Sequence, residues 1–169
     1  MTEEQIAIRD AVRDGIARGV AVIGLAGVAL IHLLDLPGQL SQTPYIFVLY
    51  VGLMVASVAL AGVLIAASDA RAWAAATVLA ALAIVAYVLS RTSGLPNSTD
   101  DIGNWSEPLG MASLFVEGAL VVLSSAVLIS RSEVALTGGR ASRRRFRVEG
   151  ATGTLNSLPS GRLRVALKH

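Results

Sequence analysis

The sequence predicts an all-α fold: a four-helix transmembrane bundle with both termini in the cytoplasm and a basic cytoplasmic C-terminal tail. Three observations carry this reading. Four apolar runs, at about 19–36, 45–67, 72–89 and 109–130, occupy most of the 169 residues. As helices of roughly 18–23 residues they rise about 27–34 Å, enough to cross a hydrocarbon core. The composition agrees, with 54% hydrophobic residues, 15% charged residues and a mean hydropathy of +0.65, where soluble domains carry about 25% charged residues. Finally, the basic residues are sorted between the loops, as the positive-inside rule requires of a multi-pass chain.

The first element is a cytoplasmic helix over 1–18 that leads into span one. Thr2 and Gln5 have capping-box spacing, so the helix is expected to start there and run on without a break. The span ends at Leu36-Pro37-Gly38 with no small-residue cleavage pattern, so it is expected to stay in the membrane. Thr43-Pro44 and Ser106-Glu107-Pro108 each read as an N-cap followed by Pro near the first helical turn, opening spans two and four. Span three is dominated by Ala (72, 74, 75, 76, 80, 81, 83, 86) and is expected to pack against its neighbours. Gly15 with Gly19, and Gly52 with Ala56, have the small-xxx-small spacing that lets helices approach closely in lipid. Ordinary bundle packing and a homodimer face are both compatible with it. Tyr45, Tyr50, Tyr87 and Trp105 fall at one interface and Trp73 at the other, as an aromatic belt would. The four-span domain thus covers 19–130.

Orientation follows from the bases. Arg9, Arg13 and Arg18 precede span one, Arg71 joins spans two and three, and nine more basic residues lie in 131–169. The opposite side holds Arg91 alone, beside Asp35, Asp100, Asp101 and Glu107. Both termini are therefore expected in the cytoplasm, with 37–44 and 90–108 facing outward. Cysteine is absent, which excludes disulfides, thiolate metal sites and a thiol nucleophile. Thirteen of the fourteen basic residues are Arg, which together with abundant Ala, Gly and Val points to a GC-rich bacterial genome and hence to a bacterial cell membrane.

The tail, 131–169, has nine Lys/Arg against Glu133 and Glu149. Arg140, Arg143, Arg144, Arg145 and Arg147 are its densest basic group, expected to touch anionic lipid or a partner protein rather than nucleic acid. Arg145-Phe-Arg-Val148 is echoed by Arg162-Leu-Arg-Val165. Both alternate as short strands do, so a hairpin is one expectation for the tail.

Ionisable groups inside spans are costly and are functional candidates by default. His32 and Asp35 lie three residues apart near the outer end of span one and share a helix face. Tyr87 and Arg91 share a face near the outer end of span three, and Glu117 lies in the outer half of span four. These five are the candidate site. Three readings stay open: mutual pairing that holds the helices in register, with Glu117 against His32 or Arg91; a ligand or ion pocket; and contact with a larger membrane complex. No cofactor or metal is expected. A b-type haem normally takes two axial ligands and the spans offer one His. A zinc site needs more ligands than His32, Asp35 and Glu117 supply. The loop 90–108 is long and acidic and is expected to be solvated and partner-facing.

The run Tyr87-Val-Leu-Ser-Arg-Thr-Ser-Gly-Leu-Pro96 resembles a motif of an uncharacterised family of small bacterial, actinobacterial, four-span integral membrane proteins. His32-Leu33 with Pro37 and Thr43-Pro44-Tyr45, and Glu107-Pro-Leu-Gly110 through Glu117, are similar to that family's first outer loop and fourth span. The resemblance covers roughly residues 30–125. It departs at Gly38 and Gln39, where relatives carry a second His and acidic residues. It implies the four-span topology and no activity.

Small size, a long outer loop, a basic tail and the lack of a catalytic set together suggest a non-catalytic accessory subunit of a larger bacterial membrane complex, a respiratory complex among the candidates. A small ligand- or ion-binding transport protein using the outer polar cluster is the alternative. Membrane lipids, other membrane subunits and a second copy of the chain are the expected partners.

Overall fold

A computed structural model of the chain describes the backbone of residues 2–39 and 44–156, with side chains at 2–37 and 44–133. It holds four helices: α1 (Glu3–Gln39), α2 (Pro44–Ala66), α3 (Ala70–Thr92) and α4 (Pro108–Asn156). Each contains a segment long and apolar enough to cross a membrane: Glu3–Pro37, Pro44–Ala66, Ala70–Thr92 and Pro108–Glu133. The chain divides into two compact units, Met1–Ile129 and Ser130–His169. The candidate site lies in the first.

Local chemistry sets the helix starts. The Thr2 N–H donates to Gln5 Oε1 (3.1 Å) and the Gln5 N–H to Thr2 Oγ1 (3.4 Å), a reciprocal capping box. From there α1 is one helix through Gln39, so the N-terminal segment and span one are continuous. Asp69 caps α3 by accepting from the Arg71 N–H. At α4 the cap is Glu107 rather than Ser106. Its Oε1 accepts from the Leu109 N–H (3.1 Å) and its Oε2 from the Gly110 N–H (2.7 Å), with Pro108 as the first helical residue. A carboxylate here satisfies orphan amides and meets the positive end of the helix dipole.

The buried core draws on all four helices: Ala21, Leu25 and Val28 from α1, Leu64 from α2, Ala72, Trp73 and Ala80 from α3, and Leu120 from α4. Ala72, Ala76 and Ala80 repeat every four residues and form the buried stripe of the Ala-rich span. Large apolar side chains point the other way, with Phe115 79%, Ile23 73% and Val122 70% exposed. An apolar exterior of this kind is a liability in water and the ordinary condition in lipid, where burial gives helices no hydrophobic drive to associate.

Several expectations are corrected. Trp73 is not a belt residue. It is fully buried, and its Nε1 donates to Ser68 Oγ (3.2 Å), which in turn donates to Asp14 Oδ1 (3.1 Å). The small-residue pairs are not used inside the chain either: a Cβ placed at Gly15, Gly19 or Gly52 meets nothing within 4 Å. Close approach falls elsewhere. Gly24 lies under the Leu120 side chain, and a Cβ on Gly110 would collide with the Tyr87 ring. In the tail, Arg145–Val148 is helical as part of α4, not a strand. The echo at 162–165 lies outside the described residues. Arg140, Arg143, Arg144, Arg145 and Arg147 also fall on α4, and their side chains lie outside the described set.

Candidate functional site

The ends of the helices next to the α3–α4 loop line a cavity of about 250 Å³. His32 and Asp35 line it from α1, Tyr87 and Arg91 from α3, and Glu117 from α4, so the five residues nominated from sequence converge on one space. Helical spacing explains this. Three or four residues separate His32 from Asp35 and Tyr87 from Arg91, which puts each pair on one helix face.

Glu117 is 1% exposed. It pairs with neither His32 nor Arg91. Its Oε1 accepts from Ser113 Oγ at 2.7 Å, one turn earlier on α4, and its Oε2 has no hydrogen-bond partner. A buried polar atom without a partner is unusual and calls for a reason.

His32 is held by its own helix. Its Nδ1 lies 2.9 Å from the Val28 carbonyl oxygen, which can only accept, so Nδ1 carries the hydrogen. In the neutral ring Nε2 then keeps its lone pair. The Tyr50 ring meets the imidazole edge-on, with centroids 4.9 Å apart. The Tyr50 hydroxyl donates to Asp35 Oδ2 at 2.8 Å, joining α2 to α1.

Arg91 is 7% exposed and sits between two carboxylates, with Nη1 2.6 Å from Asp101 Oδ1 and Nη2 3.4 Å from Glu107 Oε2. Its guanidinium also lies over the Tyr87 ring, 4.9 Å from the centroid. Glu107 therefore does two jobs: it caps α4 and binds the cation of α3.

The loop after α3 is tied to this arrangement while most of its residues stay exposed. Gly94, at φ +74°, stops the helix, and its N–H returns to the Leu89 carbonyl at 3.0 Å. A Cβ there would be strained by φ and crowded by Thr99 and Ile102. Leu95 and Ser98 exchange backbone bonds at 2.9 Å around Pro96 and Asn97, the latter at φ 57°. Three ties then draw the loop inward: the Gly103 N–H to the Arg91 carbonyl (2.9 Å), the Tyr45 hydroxyl to the Pro96 carbonyl (2.7 Å) and the Tyr87 hydroxyl to the Trp105 carbonyl (3.4 Å). Leu95, Ser98, Asp101 and Glu107 all reach the cavity lining.

Sequence reasoning missed four residues of this site. Tyr50 read as interfacial, Asp101 as a solvated acid, Glu107 as part of a cap and Ser113 not at all. Only Ser113 left a usable signal, at i−4 from Glu117. Among the described residues, no group of three or more His, Asp and Glu is placed to hold a metal. Neither a family model, nor a curated protein, nor a solved structure matches this chain.

Proposed function

We propose that this chain is a small multi-pass membrane protein that binds a small molecule in the polar cavity, which opens toward the outer face of a bacterial cell membrane. One observation carries the reading: a buried carboxylate, Glu117, lines the cavity with Oε2 unmatched by any protein donor. A cluster serving only to hold helices in register has no use for an unspent buried acceptor. Pockets for small molecules combine apolar walls with a few placed polar groups. Ile31, Ile46, Leu49, Leu53, Ala83 and Ala86 supply such walls here. The run Tyr87–Pro96 contributes Tyr87, Ser90, Arg91 and Leu95 to the lining, so the family resemblance fits a pocket shared among those proteins. The side of the membrane rests on the sorting of basic residues. Helical spacing puts positions 140, 143, 144 and 147 on one face of α4, which supports contact of that segment with anionic lipid on the cytoplasmic side.

The test is native mass spectrometry of the chain extracted gently from its host membrane. We expect a small-molecule adduct on the wild type, lost in Ala83→Trp, where the indole fills the cavity. An adduct that persists in Ala83→Trp would count against the pocket.

A second reading, an accessory subunit of a larger complex, is favoured by the small residues left open on the exterior. Gly15, Gly19, Gly52 and Gly118 have no neighbour within 4 Å of a built Cβ, and close helix packing in lipid uses such positions. Stoichiometric co-purification of other membrane subunits would support it.

A further inference from the structure

The chemistry of the cavity selects the class of molecule it takes, on the reading that it is a binding pocket. Its hydroxyl donors are mostly spent, while Arg91 Nε keeps an unpartnered N–H. Tyr50 donates to Asp35, Ser113 to Glu117, Ser90 to the Tyr87 carbonyl (2.7 Å) and Tyr87 to the Trp105 carbonyl. The positive charge of Arg91 is matched by Asp101 and Glu107 and by the Tyr87 ring. The acceptors are not spent. Glu117 Oε2 has no partner, and His32 has its Nδ1 hydrogen turned toward Val28.

Charge runs the same way. Four carboxyl groups line the space, from Asp35, Asp101, Glu107 and Glu117, against the single guanidinium of Arg91. Two carboxylates are used on Arg91, which leaves Asp35 and Glu117 facing the cavity without a cation of the protein. The remaining wall is aliphatic, with the faces or edges of Tyr50 and Tyr87 among it. Aromatic rings beside a desolvated cation add attraction through the ring quadrupole.

We propose that the pocket takes a small organic ammonium ion with an apolar body, its N–H donors met by Glu117 and its charge balanced by Glu117 and Asp35. The His32 lone pair is a further acceptor, and the aliphatic wall holds the body of the ligand. The volume of about 250 Å³ limits the guest to a small molecule; it equals the share of roughly eight waters in the liquid.

Three probes of one shape test this: benzylammonium, benzyl alcohol and benzoate. Each is titrated calorimetrically into the full chain in lipid nanodiscs, with Ala83→Trp nanodiscs as the blank for partition into lipid. Benzylammonium should bind, and the alcohol and the carboxylate should be much weaker. Glu117→Gln should weaken benzylammonium roughly 30-fold or more, as loss of a buried charge partner does. Asp35→Asn should weaken it less. If Glu117→Gln fails to fold, Asp35→Asn and the ranking of the three probes still decide the matter. Benzylammonium binding that both Glu117→Gln and Asp35→Asn leave unchanged would overturn the assignment. So would preference for benzoate, since it would mean that Arg91, whose Nε has no hydrogen-bond partner, receives the ligand; the pocket reading would stand. Silence of all three probes, with no adduct in the native spectra, would remove both.

Discussion

Tyr50 and Asp35 are joined across the α1–α2 interface by a 2.8 Å hydrogen bond from phenol to carboxylate. The bond fixes the tyrosine ring edge-on to His32 and closes one wall of the cavity. It ties α1 to α2 and places a carboxylate acceptor within a largely apolar seam.

Tyr50→Phe keeps the ring and removes the bond. Loss of a hydrogen bond to a charged group is worth about 1.5–3 kcal/mol in soluble proteins, and interhelical bonds in membranes average nearer 0.6. We expect a destabilisation of about 1 kcal/mol in reversible unfolding from mixed micelles. A double-mutant cycle with Asp35→Asn should show coupling of similar size. Additive effects would mean that the pair does not hold the helices together.

Arg91 latches the α3–α4 loop to α3 through Asp101 and Glu107. Arg91→Met removes the cation and leaves two carboxylates facing each other's field. We expect faster hydrogen exchange at Gly103, whose N–H bonds to the Arg91 carbonyl, and a stability loss of about 2 kcal/mol. Arg91→Lys should recover part of it, since an ammonium keeps the charge without the planar fork. Equal protection of Gly103 in all three chains would show that the loop needs no latch.

Gly110 and Gly118 make opposite predictions on one helix. A Cβ at 110 collides with Tyr87 and comes within 2.8 Å of Glu107 Oε2, so Gly110→Ala must displace the α4 cap or the Tyr87 ring. Overpacking of this kind costs about 1–3 kcal/mol. At Gly118 nothing lies within 4 Å, so Gly118→Ala should be neutral or mildly stabilising in the isolated chain. Thermal unfolding of both variants checks the contrast. If Gly118→Ala proved the more damaging, that face would be packed against another helix in the membrane.

Orientation is checked by single cysteines, which the chain otherwise lacks. Asn104→Cys lies in the loop after α3 and Ser132→Cys at the far end of the fourth membrane-length segment. On intact cells an impermeant maleimide should label position 104 and leave 132 unlabelled. The reverse pattern would invert the bundle and place the cavity mouth in the cytoplasm.

The sequence by itself determined the four spans, their approximate limits and the five polar residues worth following. These are local or periodic properties. The free energy of moving about twenty apolar side chains into lipid is additive along the chain, and a three- or four-residue spacing already places His32 with Asp35 and Tyr87 with Arg91. The continuous α1 was legible for the same reason, from Thr2 and Gln5.

Tertiary structure decided who meets whom. Glu117 was legible as a buried acid, but its turn toward Ser113, and the orphaned Oε2, depend on how α4 is rotated against its neighbours. Trp73 reads as interfacial from its place in the chain and is buried because α3 turns it toward the Ser68–Asp14 pair. The loop 90–108 reads as solvated because its residues are polar, and most of 93–107 is exposed, yet Asp101 and Glu107 are bound by a single buried guanidinium. In lipid the hydrophobic effect does not distinguish one apolar helix face from another. Rotation and partner choice are left to small residues such as Gly110 and to a handful of polar contacts that span distant segments, and neither is written in any local window of the sequence.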